Sequence, residues 1–409
     1  MRILVVSNLY PPHYLGGYEL GCQEAVEGLQ QRGHDVRVLT STYGVRGAEF
    51  DGEIYRWLET DLGRGLQPLA VRALRLLKKE ARNQGAFKRI AKEFRPDVVY
   101  LWNLAGISIS IAFWAQRMNI PVCFYVFDQM LEKWRQDQWY ALWPPSPRRT
   151  SVRVASRGLR SLLEKFGIIA TASLDLRHVH FASHFLKRSM LDKGEPVADG
   201  EVIHWGIEIE QFPFRESDAN PERLLLAGQI GPHKGTHTAI EALKILVHEH
   251  GLSQLTLTIT GRGNDPAYEA QLHRRVSSHG LAANVRFTGF VPREQLTEIY
   301  RDHGLLLFPS VCDEGLGISL LEAMASGLAV VGTASGGSAE ILEHEKTGLV
   351  FPKEDAPACA AEIIRLVTDR QLFERVRRAG RRIVTDQFTI VKAIDNIERS
   401  LRQFAGAQD

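Results

Sequence analysis

Two carboxylates, Glu314 and Glu322, stand on either side of a Gly315-Leu316-Gly317 turn in the stretch Phe308 to Thr333. A carboxylate accepts hydrogen bonds from hydroxyl groups, and the open amides of a helix that starts on glycine receive phosphate or hydroxyl oxygens. If the residues between them were all helical, the two carboxylates would lie roughly 12 Å apart along the axis. That is too far for the roughly 5 Å carboxylate pair of a retaining glycosidase. The spacing suits two ends of one long ligand, and a nucleotide diphosphate sugar has that form.

The surrounding elements explain how these groups would be held. Leu305 to Phe308 is a short apolar run of the buried-strand kind, ended by Pro309 and Ser310. From Ile318 the apolar spacing predicts a helix that stops at Gly327, followed by another strand at Leu328 to Val331. A second loop, AGQIGPHKG, follows an apolar run at Leu224 to Ala227 and presents Lys234 beside Gly235. An ammonium there would stabilise charge growing on a departing diphosphate. Near the N-terminus, Gly16 and Gly17 lie between a strand at Ile3 to Val6 and a helix, so their amides are candidates for the same diphosphate. A dinucleotide fold is disfavoured: no G-x-G-x-x-G follows the first strand, and Gly261-Arg262-Gly263 supplies only its first half.

The pattern E-x7-E, with G-x-G inside it and E-A-M-A-x-G after it, resembles that of the retaining family 4 glycosyltransferases. The resemblance implies catalytic roles for Glu314 and Lys234. Glu314 would contact the transferred sugar, Glu322 the ribose, and Gly315, Leu316, Gly317 and Ile318 would border the donor. In FTGFVP, Phe290 and Val291 would shape the base pocket. FASHFLK, with Ser183, and HWGIE, with Glu208, are further matches.

Two departures stand out. Gln229 occupies the place where the family has an arginine, and Phe127 precedes Asp128 where the family has a histidine. Arg262, and after it His233, are the candidates to restore the lost charge at the donor. On the acceptor side the candidates are His13, Asp128 and Trp134. Helix capping at Asp128 and loop packing at Trp134 are equal readings. The family needs no metal, and the chain has no D-x-D, so neither metal nor cofactor is expected.

The chain has 409 residues, 44% of them hydrophobic, which is enough for two cores. The expected architecture is α/β, with two Rossmann-like doubly wound domains facing a cleft, the GT-B fold. The boundaries fall at 1–208 for an acceptor-binding domain and 209–388 for a donor-binding domain. A helix over 389–409 crosses back to the first domain. Lys and Arg number 50 against 48 Asp and Glu, a balance that disfavours nucleic acid as a partner. The partners expected are a nucleotide-sugar donor of UDP or GDP type and a sugar or lipid-linked sugar acceptor, in bacterial polysaccharide, glycolipid or glycoside biosynthesis. The alternative is a degenerate protein that binds sugar nucleotides without turnover.

Four dispersed cysteines and a first apolar run too short for a signal peptide point to the cytoplasm. In the basic segment LAVRALRLLKKEARNQGAFKRIAKEFR, the apolar residues Leu69, Leu74, Leu77, Ala81 and Ile90 run beside Arg72, Arg75, Lys78, Lys79 and Arg82. This is either core with a solvated rim or a face for peripheral contact with the inner surface of an anionic membrane.

Overall fold

A computed structural model describes residues 1–62, 69–129, 131–137, 174–216 and 219–406, without the side chains at 69–74 and 294. Trp139, Tyr140 and Trp143, which by sequence could line an acceptor groove with Trp134 or pack a long loop, lie outside the described residues. Contacts divide the chain into two compact units. The first comprises Met1–Ala182, Leu186–Ile203 and Ile394–Asp409, and the second comprises Ser183–Phe185 and His204–Ala393.

The first unit is a sheet flanked by helices. Its strands are β1 (Arg2–Val6), β2 (Asp35–Ser41), β3 (Glu49–Asp51), β4 (Ile54–Leu58), β5 (Val98–Leu101), β6 (Val122–Val126), β7 (Val179–Phe181) and β8 (Glu201–Val202). The helices are α1 (Gly17–Gln31), α2 (Leu69–Phe94), α3 (Ser110–Arg117) and α4 (His184–Asp192), the last opening on residues grouped with the second unit. Strand order is β3-β4-β2-β1-β5-β6-β7-β8, all pairs parallel except β3 with β4. The continuous apolar runs of β1, β5 and β6 are buried on both faces, as a parallel sheet covered by helices requires.

The β3–β4 hairpin was not expected from the sequence. Glu49, Phe50 and Asp51 are all exposed, and Arg56 interrupts the apolar pattern of β4. Arg56 is nonetheless buried, its guanidinium donating to the carbonyls of Tyr10 at 3.1 Å and Pro11 at 2.7 Å.

Among its described side chains, the basic stripe on α2 divides between core and surface. Ile90 is in the core and Lys79 is buried against Asp61, whereas Leu77, Lys78 and Ala81 are exposed. Among the described residues no helix is long and apolar enough to cross a membrane.

The second unit repeats the build with β9 (Arg223–Ala227), β10 (Thr256–Thr260), β11 (Val285–Gly289), β12 (Leu305–Phe308), β13 (Ala329–Gly332) and β14 (Leu349–Val350). Its helices are α5 (Thr236–His248), α6 (Pro266–Ser278), α7 (Arg293–Arg301), α8 (Ile318–Ser326), α9 (Ala356–Thr368) and α10 (Arg370–Gln387). The order is β11-β10-β9-β12-β13-β14, entirely parallel. Asp265, Asp355 and Asp369 cap α6, α9 and α10 through their carboxylates.

The last helix, α11 (Ile390–Gly406), joins the first unit from Ile394 onward. Ile394 lies so close to Gly28 on α1 that a Cβ there would meet its Cδ1 at 2.2 Å. Glu398 pairs with Arg32 at 3.3 Å and His34 at 3.0 Å, and Ser400 meets the buried His180 at 2.9 Å.

Strand order locates the places where a ligand is received. In an open parallel sheet the crevice lies beyond the carboxyl ends of two neighbouring strands whose connections run in opposite directions. In the second unit those strands are β9 and β12, followed by loops 228–235 and 309–317. In the first unit β1 is such a strand, and the Gly16-Gly17 turn lies beyond its end.

Candidate functional site

The two loops of the second unit are locked together by backbone. Val311 and Cys312 donate to the carbonyl of His233 at 2.9 and 3.1 Å. Gly235 has φ +68°, and a Cβ there would fall 1.9 Å from the Pro309 carbonyl oxygen, so glycine alone permits this approach. The result brings Lys234, at the end of the short helix Pro232–Lys234, onto Glu314. Its Nζ lies 2.6 and 2.8 Å from the two carboxylate oxygens. Ser310 donates to the same carboxylate, and the Cys312 thiol lies 3.8 Å from it.

On its other side Glu314 is held by the turn after β13. Its amide reaches Ser335 O at 3.4 Å, and its carbonyl accepts from Gly337 at 2.7 Å. At Gly336, φ +63°, a Cβ would lie 2.4 Å from Glu314 O. Asp313, next in the loop, is tied to Lys353 at 2.8 Å and Ser335 at 2.5 Å, and those two hydrogen bonds hold its carboxyl below the usual range.

Beside the ion pair is a small pocket of about 60 Å³, lined by Gln229 and Lys234 from the first loop, Phe308 at the end of β12, Ser310 from the second loop and Ser319 from α8. Helix α8 begins at its rim. Gly317 caps it with φ +96°, and among the described residues the amides of Ile318 and Ser319 have no hydrogen-bond partner. The pocket therefore gathers an ammonium, a hydroxyl pair, an amide side chain and a helix start. This set receives anionic oxygens.

Glu322 is on the second turn of α8, 6% exposed, and accepts a 2.9 Å hydrogen bond from the Tyr300 hydroxyl. Burial, reinforced by the Glu322 charge, raises the Tyr300 phenol well above its ordinary value, so it remains a donor. Only the last few residues between Glu314 and Glu322 are helical, because α8 starts at Ile318. An all-helical spacing between the two glutamates is thus corrected, while their separate surroundings, Lys234 with Ser310 and Tyr300, keep them apart in role.

Gln229 faces the pocket. Arg262 is exposed, its carbonyl accepting from Ile230 at 3.2 Å, and among the described residues its guanidinium has no carboxylate partner. Burial, then the neighbouring Lys234 charge, holds the His233 imidazole below its ordinary value against the pull of Glu314. Burial thus disfavours the charged form of His233. Phe290 is 60% exposed and Val291 half-buried beyond the end of β11. The side chain of Leu316 is buried, which leaves only its backbone to a ligand.

In the first unit the α1 start carries a carboxylate that the sequence reading missed. Glu19 is 4% exposed and accepts from the amides of Gly16 at 2.9 Å and Leu15 at 3.4 Å, and from Asn103 at 3.1 Å. The Gly16 amide is thus already engaged. G-G-Y-E, with a glutamate three residues after the cap, is a capping-box spacing and was the available signal. Burial raises the Glu19 carboxyl above its usual range, against the pull of those amides. The His13 ring lies against Gly44, where a Cβ would meet it at 2.4 Å. Asp128 is exposed and borders a small pocket with Tyr18, Trp102 and Tyr125. Trp134 is 6% exposed, and its indole donates to Glu195 at 3.2 Å, so packing accounts for its ring. Ser310, Ser319, Tyr300 and Gly336-Gly337 were also missed. The last pair was legible as a turn after strand β13.

Comparison with known proteins is consistent with this build. A glycosyltransferase from Erwinia amylovora, named for amylovoran biosynthesis (AmsK), is 34% identical over 191 residues, covering 45% of this chain and 46% of that protein. The chain thus spans about half the length of that relative. The glycogen synthase of Mycobacterium tuberculosis is 26% identical over 95% of this chain and 91% of its own length. Among solved structures, Anabaena HepE, crystallised with UDP and glucose, has a TM-score of 0.67 at 19% identity, over 98% of this chain and all of that one. The fold is therefore that of two Rossmann-like domains, the GT-B type. The glycosyl transferase 4-like domain matches residues 16–206 and glycosyl transferases group 1 matches residues 208–383. With the two matches together spanning most of its length, the chain belongs to the group 1 glycosyltransferases, with an N-terminal domain of the family 4 kind.

Proposed function

We propose that this protein transfers a sugar, with retention of configuration, from a nucleotide diphosphate sugar to a hydroxyl acceptor in bacterial polysaccharide, glycolipid or glycoside biosynthesis. The observation that carries the reading is the Lys234–Glu314 pair at the mouth of a pocket bordered by a helix start.

The donor diphosphate enters beside Lys234, Ser319 and the α8 amides, with Arg262 supplying the charge that Gln229 lacks. Glu322, held by Tyr300, takes the ribose hydroxyls, and the exposed Phe290 offers a face to the base. Glu314 orients the sugar. As the bond between the anomeric carbon and the diphosphate oxygen breaks, the electron pair goes to the diphosphate. Lys234 and the helix amides stabilise that charge more in the transition state than before it. The acceptor oxygen bonds to the anomeric carbon on the face just vacated, and its proton passes to the departing phosphate. Lys234 and the amides perform the neutralisation that a divalent ion performs elsewhere, so the chemistry runs without metal. A UDP or GDP donor, a sugar or lipid-linked sugar acceptor held by the first unit, and a cytoplasmic site of action complete the proposal.

The test is thermal unfolding against a panel of nucleoside diphosphates and their sugars, comparing wild type with Glu322→Ala. A ligand at a hundred times its dissociation constant adds about 2.7 kcal/mol. One nucleotide should stabilise the wild type and lose its effect in the variant. No stabilisation by any nucleotide would defeat the reading.

A further inference from the structure

Away from the pocket, the second unit brings together His184, His204 and Glu340, whose ligand-capable atoms all lie within 4.8 Å of one another. The three are far apart in sequence. His184 opens α4, His204 follows β8, and Glu340 ends the short helix Gly337–Glu340. His204 Nε2 is 2.7 Å from Glu340 Oε2, and the two imidazole rings stand 5.6 Å apart at 65°.

We propose that these residues form a binding site for a divalent transition metal, with Zn²⁺ the best-suited ion. Two imidazoles and one carboxylate are a donor set of borderline softness that zinc accepts, leaving a fourth position for water. Ligand atoms at about 2.0–2.1 Å from a tetrahedral ion lie roughly 3.3 Å apart. The ion would take the place of the hydrogen bond between His204 and Glu340, opening their 2.7 Å contact by about half an ångström. The His184 ring, on an exposed side chain, would swing in to close the set.

The supporting shell is already built. Glu340 Oε1 accepts from the Phe185 amide at 2.8 Å, and Oε2 accepts from the His184 amide at 3.0 Å, which fixes the carboxylate plane. The Phe388 ring meets the His204 imidazole edge-on at 5.2 Å and limits its rotation. Metal sites owe affinity to outer contacts of this kind. The ion would also sit one short helix away from the pocket residues, because Gly337 at the other end of that helix donates to Glu314 O. It would be structural or regulatory, separate from the groups that handle the donor.

The test is titration of chelator-treated full-length protein with ZnCl₂ in competition with a chromophoric chelator. Wild type, His184→Ala and His204→Ala are compared, with circular dichroism as a check on folding. One zinc equivalent should bind to the wild type and weaken at least tenfold in each variant. Zinc-edge anomalous diffraction from a soaked crystal should place the ion on these three side chains. If the wild type takes no zinc, or if both variants bind as tightly as it does, the contact is an ion pair with a helix cap and the proposal falls. His184 is exposed, so His184→Ala keeps the test open even if His204→Ala fails to fold.

Discussion

Lys234 Nζ is hydrogen-bonded to both carboxylate oxygens of Glu314, at 2.6 and 2.8 Å, across a gap of 80 residues. The two groups neutralise and hold each other. An arriving diphosphate would share the ammonium and free part of the carboxylate for a sugar hydroxyl. Lys234→Ala should therefore lower donor turnover roughly a hundred- to a thousand-fold, the usual loss for one transition-state donor. Steady-state release of nucleoside diphosphate measures it. A tenfold or smaller loss would place the ammonium outside the chemistry.

The Gly235 backbone is what permits that pairing. Gly235→Ala puts a Cβ against the Pro309 carbonyl at positive φ, so it should destabilise the fold by about 1–3 kcal/mol and disturb Lys234 as well. Gly16→Ala is the contrast. Its φ is −164°, and the added Cβ would meet only Glu19, at 4.0 Å. Its melting temperature should match the wild type, and a fall in donor turnover would mean that the methyl group meets a ligand there. Equal activity for Gly16→Ala and wild type would remove that turn from the site.

Tyr300→Phe tests the ribose contact without removing the carboxylate. Loss of a buried hydroxyl bonded to Glu322 should raise the KM for the donor by about fivefold to a hundredfold, which corresponds to roughly 1–3 kcal/mol. It should change kcat less. A change confined to kcat would argue that Glu322 acts on the reacting sugar instead.

A pH-dependent prediction concerns Glu80 on α2. It is 1% exposed, with Oε2 accepting from Ser110 at 2.6 Å and Oε1 without a hydrogen-bond partner among the described residues. Burial pushes its carboxyl up to about 7; Asp137 adds to the rise, and Ser110, Lys79 and Ser108 oppose it. A carboxyl raised in the folded state favours folding when protonated. Its contribution is complete below the unfolded value near 4.5 and is lost as pH climbs through about 7. Glu80→Gln should thus stabilise the protein at pH 8 by on the order of 1–3 kcal/mol and change little at pH 4.5. Melting curves at the two pH values decide it, and equal shifts at both would contradict the assignment.

How much of this was legible in the sequence depended on whether a residue's partner was near in the chain or announced by a pattern. Apolar runs such as Leu305 to Phe308 and Leu224 to Ala227 betrayed their strands, and glycines at 235, 315 and 317 marked the loops that follow. Lys234 and Glu314 were each visible as candidates. Their contact was not, because it arises from the side-by-side placement of β9 and β12, strands separated by two others in the chain. Tyr300 and Ser319 were hidden for a similar reason, since nothing local distinguishes a tyrosine near a helix end from any other. The β3–β4 hairpin escaped because its exposed, charged strand carries no apolar alternation. Trp134 looked available for an acceptor, but its indole is taken by Glu195, a partner 61 residues away.

The pocket beside Lys234 and Glu314 should split a sugar nucleotide. The most direct measurement is release of nucleoside diphosphate from a panel of UDP- and GDP-sugars by the wild type and by Glu314→Gln, with both folds verified by melting. At least one donor should be turned over by the wild type, if only slowly onto water, and the variant should be slower by roughly a hundredfold or more. No release from any donor, or equal release by both proteins, would contradict the account.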